Sequence, residues 1–225
     1  VLNYYLMNID NYRNILDKLS PYRAKLIVVS KYKSFDEIET VKNWGQNIFG
    51  ENRVQEIIAK NELHGSNLEW HLIGSLQKNK VKAIIPIVKL IHSVDSLSLL
   101  QEINKQAEKH EVVQECLLQI KIAKEETKQG LLPSEVKALL SNETFGQMKN
   151  IQIRGLMGMA TNTEDSQQIR SEFKQLRILF EEIKQAYFSD SPLFSEISAG
   201  MSDDFPIALD EGSTLVRIGS LIFNP

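Results

Sequence analysis

Leu26-Ile27-Val28-Val29-Ser30-Lys31-Tyr32-Lys33 is the stretch on which the reading of the fold turns. Its first four residues are apolar and three of them are β-branched, the pattern of a short, fully buried strand. The run ends on a lysine. Burying an ammonium is costly, so that amine either surfaces to water or is placed for use. Strand periodicity puts Ile27, Val29 and Lys31 on one face, and what lies opposite that face has to be found elsewhere in the chain.

Working outward, Ser34 stands three residues before Glu37, a capping-box spacing that predicts a helix to Trp44, closed by Gly45. The alternation then repeats. Further strands are predicted over 47–50, 68–74, 90–93, 114–122, 151–156, 194–198 and 214–219. Between them lie a helix opened by Glu51-Asn52-Arg53-Val54-Gln55-Glu56, one led by Gln77-Lys78-Asn79-Lys80 and broken at Pro86, and one over 96–110. A helix capped by Ser134 and a long one over 165–187, with Phe173, Leu176, Phe180 and Ile183 as its apolar stripe, complete the set. Another helix, over 4–19, precedes the first strand. Eight strands alternating with helices predict an α/β fold, a single (β/α)8 TIM barrel over 1–225 with an extra N-terminal helix; an open doubly wound sheet is the alternative.

Composition agrees with a folded globular chain. Of 225 residues, 42% are apolar and 24% charged, and 26 basic against 29 acidic residues leave a net charge of −3. That balance argues against broad binding to nucleic acid or anionic membranes, but allows one local phosphate pocket. No signal peptide, membrane-spanning run or lipidation signal is present, so a cytoplasmic protein is expected, and a monomer. The chain starts at Val1, so an initiator residue and a short lead are expected upstream. The single Cys116, beside Leu117, Leu118 and Ile120, reads as core filler. Gly45 and Gly50 have phosphate-loop spacing without the Lys and Ser/Thr that such a loop needs, and no dinucleotide fingerprint follows any strand. His64, His71, His92 and His110 show no metal-ligand spacing, so no metal is expected. His71 and His92 either face a site or are hydrogen-bonded structural residues. The Met157-Gly158-Met159 cluster reads as packing at the barrel mouth.

The C-terminal strands supply the missing wall. Ser198-Ala199-Gly200-Met201-Ser202-Asp203-Asp204 follows strand seven, and Val216-Arg217-Ile218-Gly219-Ser220 ends strand eight. These are the loops where (β/α)8 barrels commonly bind phosphate. Gly200 and Gly219 permit close approach of backbone amides to an anion, and Ser202 is expected to cap the next helix. Asp203 and Asp204 are expected to point away. Leu215, Arg217 and Gly219 share one face of strand eight, and barrel closure brings that face beside Lys31. Two cations there call for a ligand between them, with a phosphate close by. Pyridoxal 5′-phosphate meets these demands: its aldehyde takes a lysine amine, its phosphate takes amides and hydroxyls, and its ring nitrogen takes a partner. A charged arginine at that nitrogen can only donate, which leaves the ring a weak electron sink and disfavours transaminase-type carbanion chemistry.

These stretches resemble a known family. Val29-Ser30-Lys31-Tyr32-Lys33, Phe49-Gly50-Glu51-Asn52-Arg53-Val54-Gln55-Glu56, Trp70-His71-Leu72-Ile73-Gly74-Ser75-Leu76-Gln77-Lys78-Asn79-Lys80, Gly155-Leu156-Met157, Gly200-Met201-Ser202-Asp203-Asp204 and Gly212-Ser213-Thr214-Leu215-Val216-Arg217-Ile218-Gly219 occur in order. Along essentially its whole length the chain is similar to the pyridoxal phosphate homeostasis proteins, the YggS-like or proline synthetase co-transcribed family. The resemblance implies a barrel like the N-terminal domain of alanine racemase. It implies that Lys31 carries the cofactor as an imine, that Arg217 faces the ring nitrogen, and that Asn52 lies near the ring. Met201, Ser202, Gly219 and Ser220 complete the cofactor-binding set, with Ser220 standing where the family usually has threonine. Lys33 matches a second lysine with a role in handling the cofactor. Ala199 replaces a larger Leu or Met, and the usual Ile-Phe-Gly ending is Ile222-Phe223-Asn224, followed by Pro225.

The implied function is to hold pyridoxal phosphate on Lys31, keep the free aldehyde scarce and pass it on in transient contacts with apo-enzymes, without established turnover. A small pyridoxal phosphate-dependent amino-acid racemase is the alternative. Only Ile218 to Pro225 follow Arg217, so the C-terminal β-domain of those enzymes is expected to be absent. A phosphorylated-sugar barrel enzyme would use the same phosphate loops but needs an acidic base at a strand end, and no convincing one stands out.

Overall fold

Eight parallel strands pair in chain order, and the first hydrogen-bonds to the last, which closes the sheet into a barrel. The computed structural model describes residues 7–125 and 128–223. The opening part of the expected first helix (4–6) and the chain end at Asn224 and Pro225 lie outside them. The strands are β1 (Lys25–Val29), β2 (Ile48–Glu51), β3 (Glu69–Leu72), β4 (Val88–Val94), β5 (Gln114–Ile120), β6 (Ile151–Gly158), β7 (Glu196–Ser198) and β8 (Leu215–Ile218). The helices are α1 (Ile9–Leu19), α2 (Phe35–Asn43), α3 (Val54–His64), α4 (Val81–Ile84), α5 (Leu97–Lys109), α6 (Pro133–Leu140), α7 (Glu143–Gly146), α8 (Ser166–Tyr187), α9 (Phe205–Asp210) and α10 (Ser220–Phe223). Ring closure through β1 and β8, with Ile27 opposite Arg217, rules out the open sheet. Among the described residues no helix is long and apolar enough to cross a membrane.

Alternation decides which side chains face inward. Ile27, Leu90, Leu117, Met157 and Leu215 form a small apolar cluster of their own inside the barrel. Their strand neighbours at the opposite parity, such as Val28, Ile91, Leu118 and Val216, belong to the larger core between barrel and helices. The apolar stripe of α8 is buried in that core, as its spacing predicts, and so is Cys116, whose thiol burial pushes up. The expected capping box at α2 is present: Ser34 Oγ accepts from the Glu37 amide, and the Glu37 carboxylate accepts from the Ser34 amide at 2.8 Å.

Three of the element boundaries that differ from expectation have a local reason. Glu51 does not open a helix; it ends β2, and α3 starts at Val54 after Arg53. Its carboxylate is drawn into a buried ion pair (below), which keeps the residue on the strand. Ser134 is not the cap of α6. Leu132 takes that position because Pro133 fits the first turn, and the Glu135 carboxylate accepts from the Leu132 amide at 2.7 Å. The segment 78–80 is a 3-10 turn that leads into the four-residue α4, and the helix ends before Pro86.

Candidate functional site

Lys31 does not continue β1. The strand ends at Val29, and the chain turns through Ser30–Lys33, closed by the Lys33 amide donating to the Ser30 carbonyl at 3.0 Å. Tyr32 takes a left-handed φ of +62°, a conformation that costs a non-glycine residue about 1 kcal/mol. Polar contacts, buried on one side and exposed on the other, hold this turn from both sides of Lys31. On one side, Ser30 Oγ donates to Glu51 Oε1 at 2.6 Å, and Lys60 Nζ donates to the Ser30 carbonyl at 2.8 Å. On the other, the Tyr32 amide donates to Glu56 Oε2 at 3.0 Å. Lys60 ties the set together through Glu51 at 2.6 Å and Glu56 at 3.3 Å. Glu51 is fully buried, and its Oε2 has no hydrogen-bond partner among the described residues. Burial therefore outweighs the Lys60 and Ser30 hydrogen bonds and leaves its acid above the ordinary carboxylate value. The Lys31 side chain itself is exposed.

Arg217 is held quite differently. It projects from the inward face of β8 and is 4% exposed. One guanidinium nitrogen donates to Ser198 Oγ at 2.5 Å and another to the Gly158 carbonyl at 3.1 Å. Burial pushes its pKa down to about 10, partly offset by Asp204, so it stays a cation at neutral pH. From Ser198 the contacts continue to His92 Nδ1 at 2.9 Å, from His92 Nε2 to His71 Nδ1 at 3.0 Å, and from His71 Nε2 to Glu69 Oε1 at 3.0 Å. Burial first, then His71 and Arg217, hold the His92 imidazole well below its ordinary value.

Two adjoining cavities open at the C-terminal mouth of the barrel. The first, about 390 Å³, is lined by Lys31, Met201, Ser202, Arg217, Gly219 and Ser220, with Lys33 at its edge. The second, about 550 Å³, shares Lys31, Met201 and Arg217 and adds Asn52, Gly74 and Met159. Both volumes are of the size that takes a small ligand. All seven residues expected to touch a cofactor thus lie on this one double cavity. Close backbone approach shapes it: a Cβ on Gly219 would sit 2.7 Å from the Val29 carbonyl oxygen, and one on Gly74 would sit 2.4 Å from that of Asn52.

The loop after β7 departs from expectation. Ser202 does not cap α9; Asp204 precedes that helix, and Pro206 fits its first turn. The residues before it fold into a turn, with the Phe205 amide on the Met201 carbonyl at 2.8 Å and Asp204 Oδ1 accepting from the Met201 amide at 2.6 Å. That leaves the Ser202 hydroxyl to accept from the Ser220 hydroxyl at 2.7 Å, both residues lining the first cavity. Asp204 is turned into its own loop as expected, but Asp203 lines the first cavity. Met157 packs inside the barrel as expected, whereas Met159 reaches the second cavity.

Sequence reasoning missed Glu51, Glu56 and Lys60 around the lysine turn, and Glu69 and Ser198 beyond the arginine. Alternation offered one signal, since Glu69 and His71 share the inward parity of β3 as Leu90 and His92 share that of β4. Nothing in the spacing shows that the four strands β3, β4, β7 and β8 bring their polar residues into line.

A family model described as "Alanine racemase, N-terminal domain" matches residues 8–225. The pyridoxal phosphate homeostasis protein of Aquifex aeolicus is 41% identical over 201 residues, covering 89% of this chain and 86% of that protein. The chain belongs to this family. The pyridoxal phosphate homeostasis protein of Helicobacter pylori is another member, 40% identical over 202 residues and 89% of this chain. Among solved structures, PipY of Synechococcus elongatus with PLP bound superposes at a TM-score of 0.87, with 33% identity, over 96% of this chain and 99% of PipY. Alanine racemase of Clostridium difficile shares the barrel alone, at a TM-score of 0.71 and 15% identity over 96% of this chain and 56% of its own length.

Proposed function

We propose that this protein binds pyridoxal 5′-phosphate on Lys31, keeps the reactive aldehyde scarce and passes the cofactor to apo-enzymes. The observation that carries this reading is the meeting of Lys31, Arg217, Ser202, Gly219 and Ser220 on one cavity of about 390 Å³. The names of its relatives and the PLP-bound PipY support it. When bound, the cofactor supplies an aldehyde that condenses with an amine, and its phosphate is an anion.

Each group in the cavity has work to do toward that ligand. Lys31 offers the amine, and its exposure leaves the amine reachable from solvent. Ser202 and Ser220 offer hydroxyls to the phosphate, and Gly219 lets the start of α10, with amides that no helical carbonyl accepts, come close. The Met201 amide is already engaged by Asp204, so Met201 contributes its side chain. Arg217 can only donate to the ring nitrogen, which leaves that nitrogen unprotonated and the ring poor at stabilising a carbanion. Asn52 lines the second cavity, where it would lie beside the ring. Holding and release fit this arrangement better than turnover.

The purified protein loaded with pyridoxal 5′-phosphate should be yellow, and borohydride should fix the cofactor on Lys31, as located by peptide mass analysis. Lys31→Ala should abolish that covalent link while keeping weaker binding through the phosphate side. Attachment at Lys33 or any other lysine would overturn the assignment. Transfer of the cofactor to an apo-enzyme, followed by regain of that enzyme's activity, tests delivery. Racemisation of alanine at ordinary enzyme rates, about 1–1000 per second, would replace the holding function with the racemase alternative.

A further inference from the structure

The contacts behind Arg217 have a direction that the chemistry of their atoms dictates. A guanidinium only donates, so Ser198 Oγ accepts from Arg217 at 2.5 Å. At the far end the Glu69 carboxylate only accepts, which with both imidazoles neutral leaves the single Ser198 proton to His92 Nδ1, 2.9 Å away. With Nδ1 accepting, a neutral His92 carries its proton on Nε2 and donates it to His71 Nδ1 at 3.0 Å. By the same step His71 carries its proton on Nε2 and donates to Glu69 Oε1 at 3.0 Å. Every link is satisfied once, in one sense, from a cation to a carboxylate. Ser198, His92 and His71 are each no more than 3% exposed, so the links among them are closed to bulk water, and only the Glu69 end of the chain reaches solvent.

Among the described residues no carboxylate lies at contact distance from Arg217. Asp204 acts on it only through space, and its own carboxylate is committed to the Met201 amide. Glu69, at the start of β3, is the acid to which the chain leads, with Lys25 and Lys89 acting on it through space.

We propose that Ser198, His92, His71 and Glu69 form a one-way hydrogen-bond chain through the barrel that fixes the Arg217 guanidinium as the donor toward the cofactor ring nitrogen. This rests on the cofactor reading above. His92, His71 and Glu69 are then positioning residues, with no contact to the ligand. Gln can accept and donate as a neutral imidazole does, whereas Leu can do neither. His92→Gln should therefore preserve the chain and His92→Leu should break it, although a role in packing alone would favour Leu at so buried a place. Ser198→Ala breaks the same chain with little change of volume.

The test has two independent arms. In the cofactor-free protein, two-bond ¹H–¹⁵N correlation spectra at neutral pH should show His71 and His92 as Nε2–H tautomers. An Nδ1–H tautomer on either would overturn the chain. In the loaded protein, Ser198→Ala and His92→Leu should shift the absorbance of bound pyridoxal 5′-phosphate and weaken its binding about tenfold, the worth of one buried hydrogen bond. His92→Gln should stay close to wild type in both. If Ser198→Ala kept the wild-type spectrum and affinity, the positioning role would be wrong, whether or not His92→Leu folds. A wild-type protein that binds no pyridoxal 5′-phosphate would sink the cofactor reading, while the tautomers would still decide the chain.

Discussion

Lys31 and Arg217, two of the cations that line the cavity, are built in opposite ways. Lys31 is exposed and sits on a turn outside the barrel, and the ions that hold its backbone, Glu51, Glu56 and Lys60, never touch its amine in the structure described. Arg217 is buried inside the barrel, and it is the side chain itself that is gripped, by Ser198 and the Gly158 carbonyl. One arrangement fixes a backbone and leaves the functional group movable; the other fixes the functional group. That difference suits a site in which a bond to the amine is made and broken against a wall that stays put.

Breaking each side separately sharpens the contrast. The largest effect on stability is expected at Lys60, not at either cavity cation. Lys60→Ala leaves Glu51 buried without its partner, which costs about 3–5 kcal/mol, at the lower end if Glu51 takes up a proton. Urea unfolding would measure it, and the double variant Glu51→Gln/Lys60→Met should recover much of the loss. Next comes Gly219→Ala, whose Cβ would press on the Val29 carbonyl at 2.7 Å. A strain of about 1–3 kcal/mol should appear in unfolding, together with weaker binding of the cofactor phosphate.

The arginine side predicts a pH effect. His92 resists protonation in the folded state because it is buried beside His71 and Arg217, and its ordinary value is 6.5. The unfolded chain therefore binds a proton there that the folded chain refuses. Stability should fall as pH drops below 6.5, by up to about 1.4 kcal/mol per pH unit from this residue. Thermal unfolding at stepped pH values should show a shallower slope for His92→Gln; an identical slope would count against the assignment. The smallest effect is expected where function is most sensitive. Lys31→Ala should change unfolding free energy by no more than about 0.5 kcal/mol, as a surface substitution does, while removing the covalent link entirely.

How much of this was legible in the chain differs between the two cations. The closed barrel followed from eight alternations, and the meeting of the β1 and β8 faces followed from period two, which brought Lys31 and Arg217 together at the barrel mouth. The lysine was placed on the right cavity by a route that needed correcting, since the strand stops two residues earlier and a left-handed Tyr32 completes the turn. Turns of that kind depend on tertiary contacts, here from α3, that no local spacing encodes. Ser202 was assigned to the cavity as a helix cap and reaches it instead as the partner of Ser220. Of the polar chain behind Arg217, local reading offered only the parity of its histidines, because its members come from three strands and their alignment depends on barrel closure.

The Gly158 carbonyl and the Ser198 hydroxyl that hold Arg217 come from β6 and β7, and the chain beyond them from β3 and β4. Anyone grafting this cofactor site onto another barrel by copying its rim loops would therefore transplant the lysine and the phosphate cradle without the wall. A working graft has to carry half of the barrel's lumen with it.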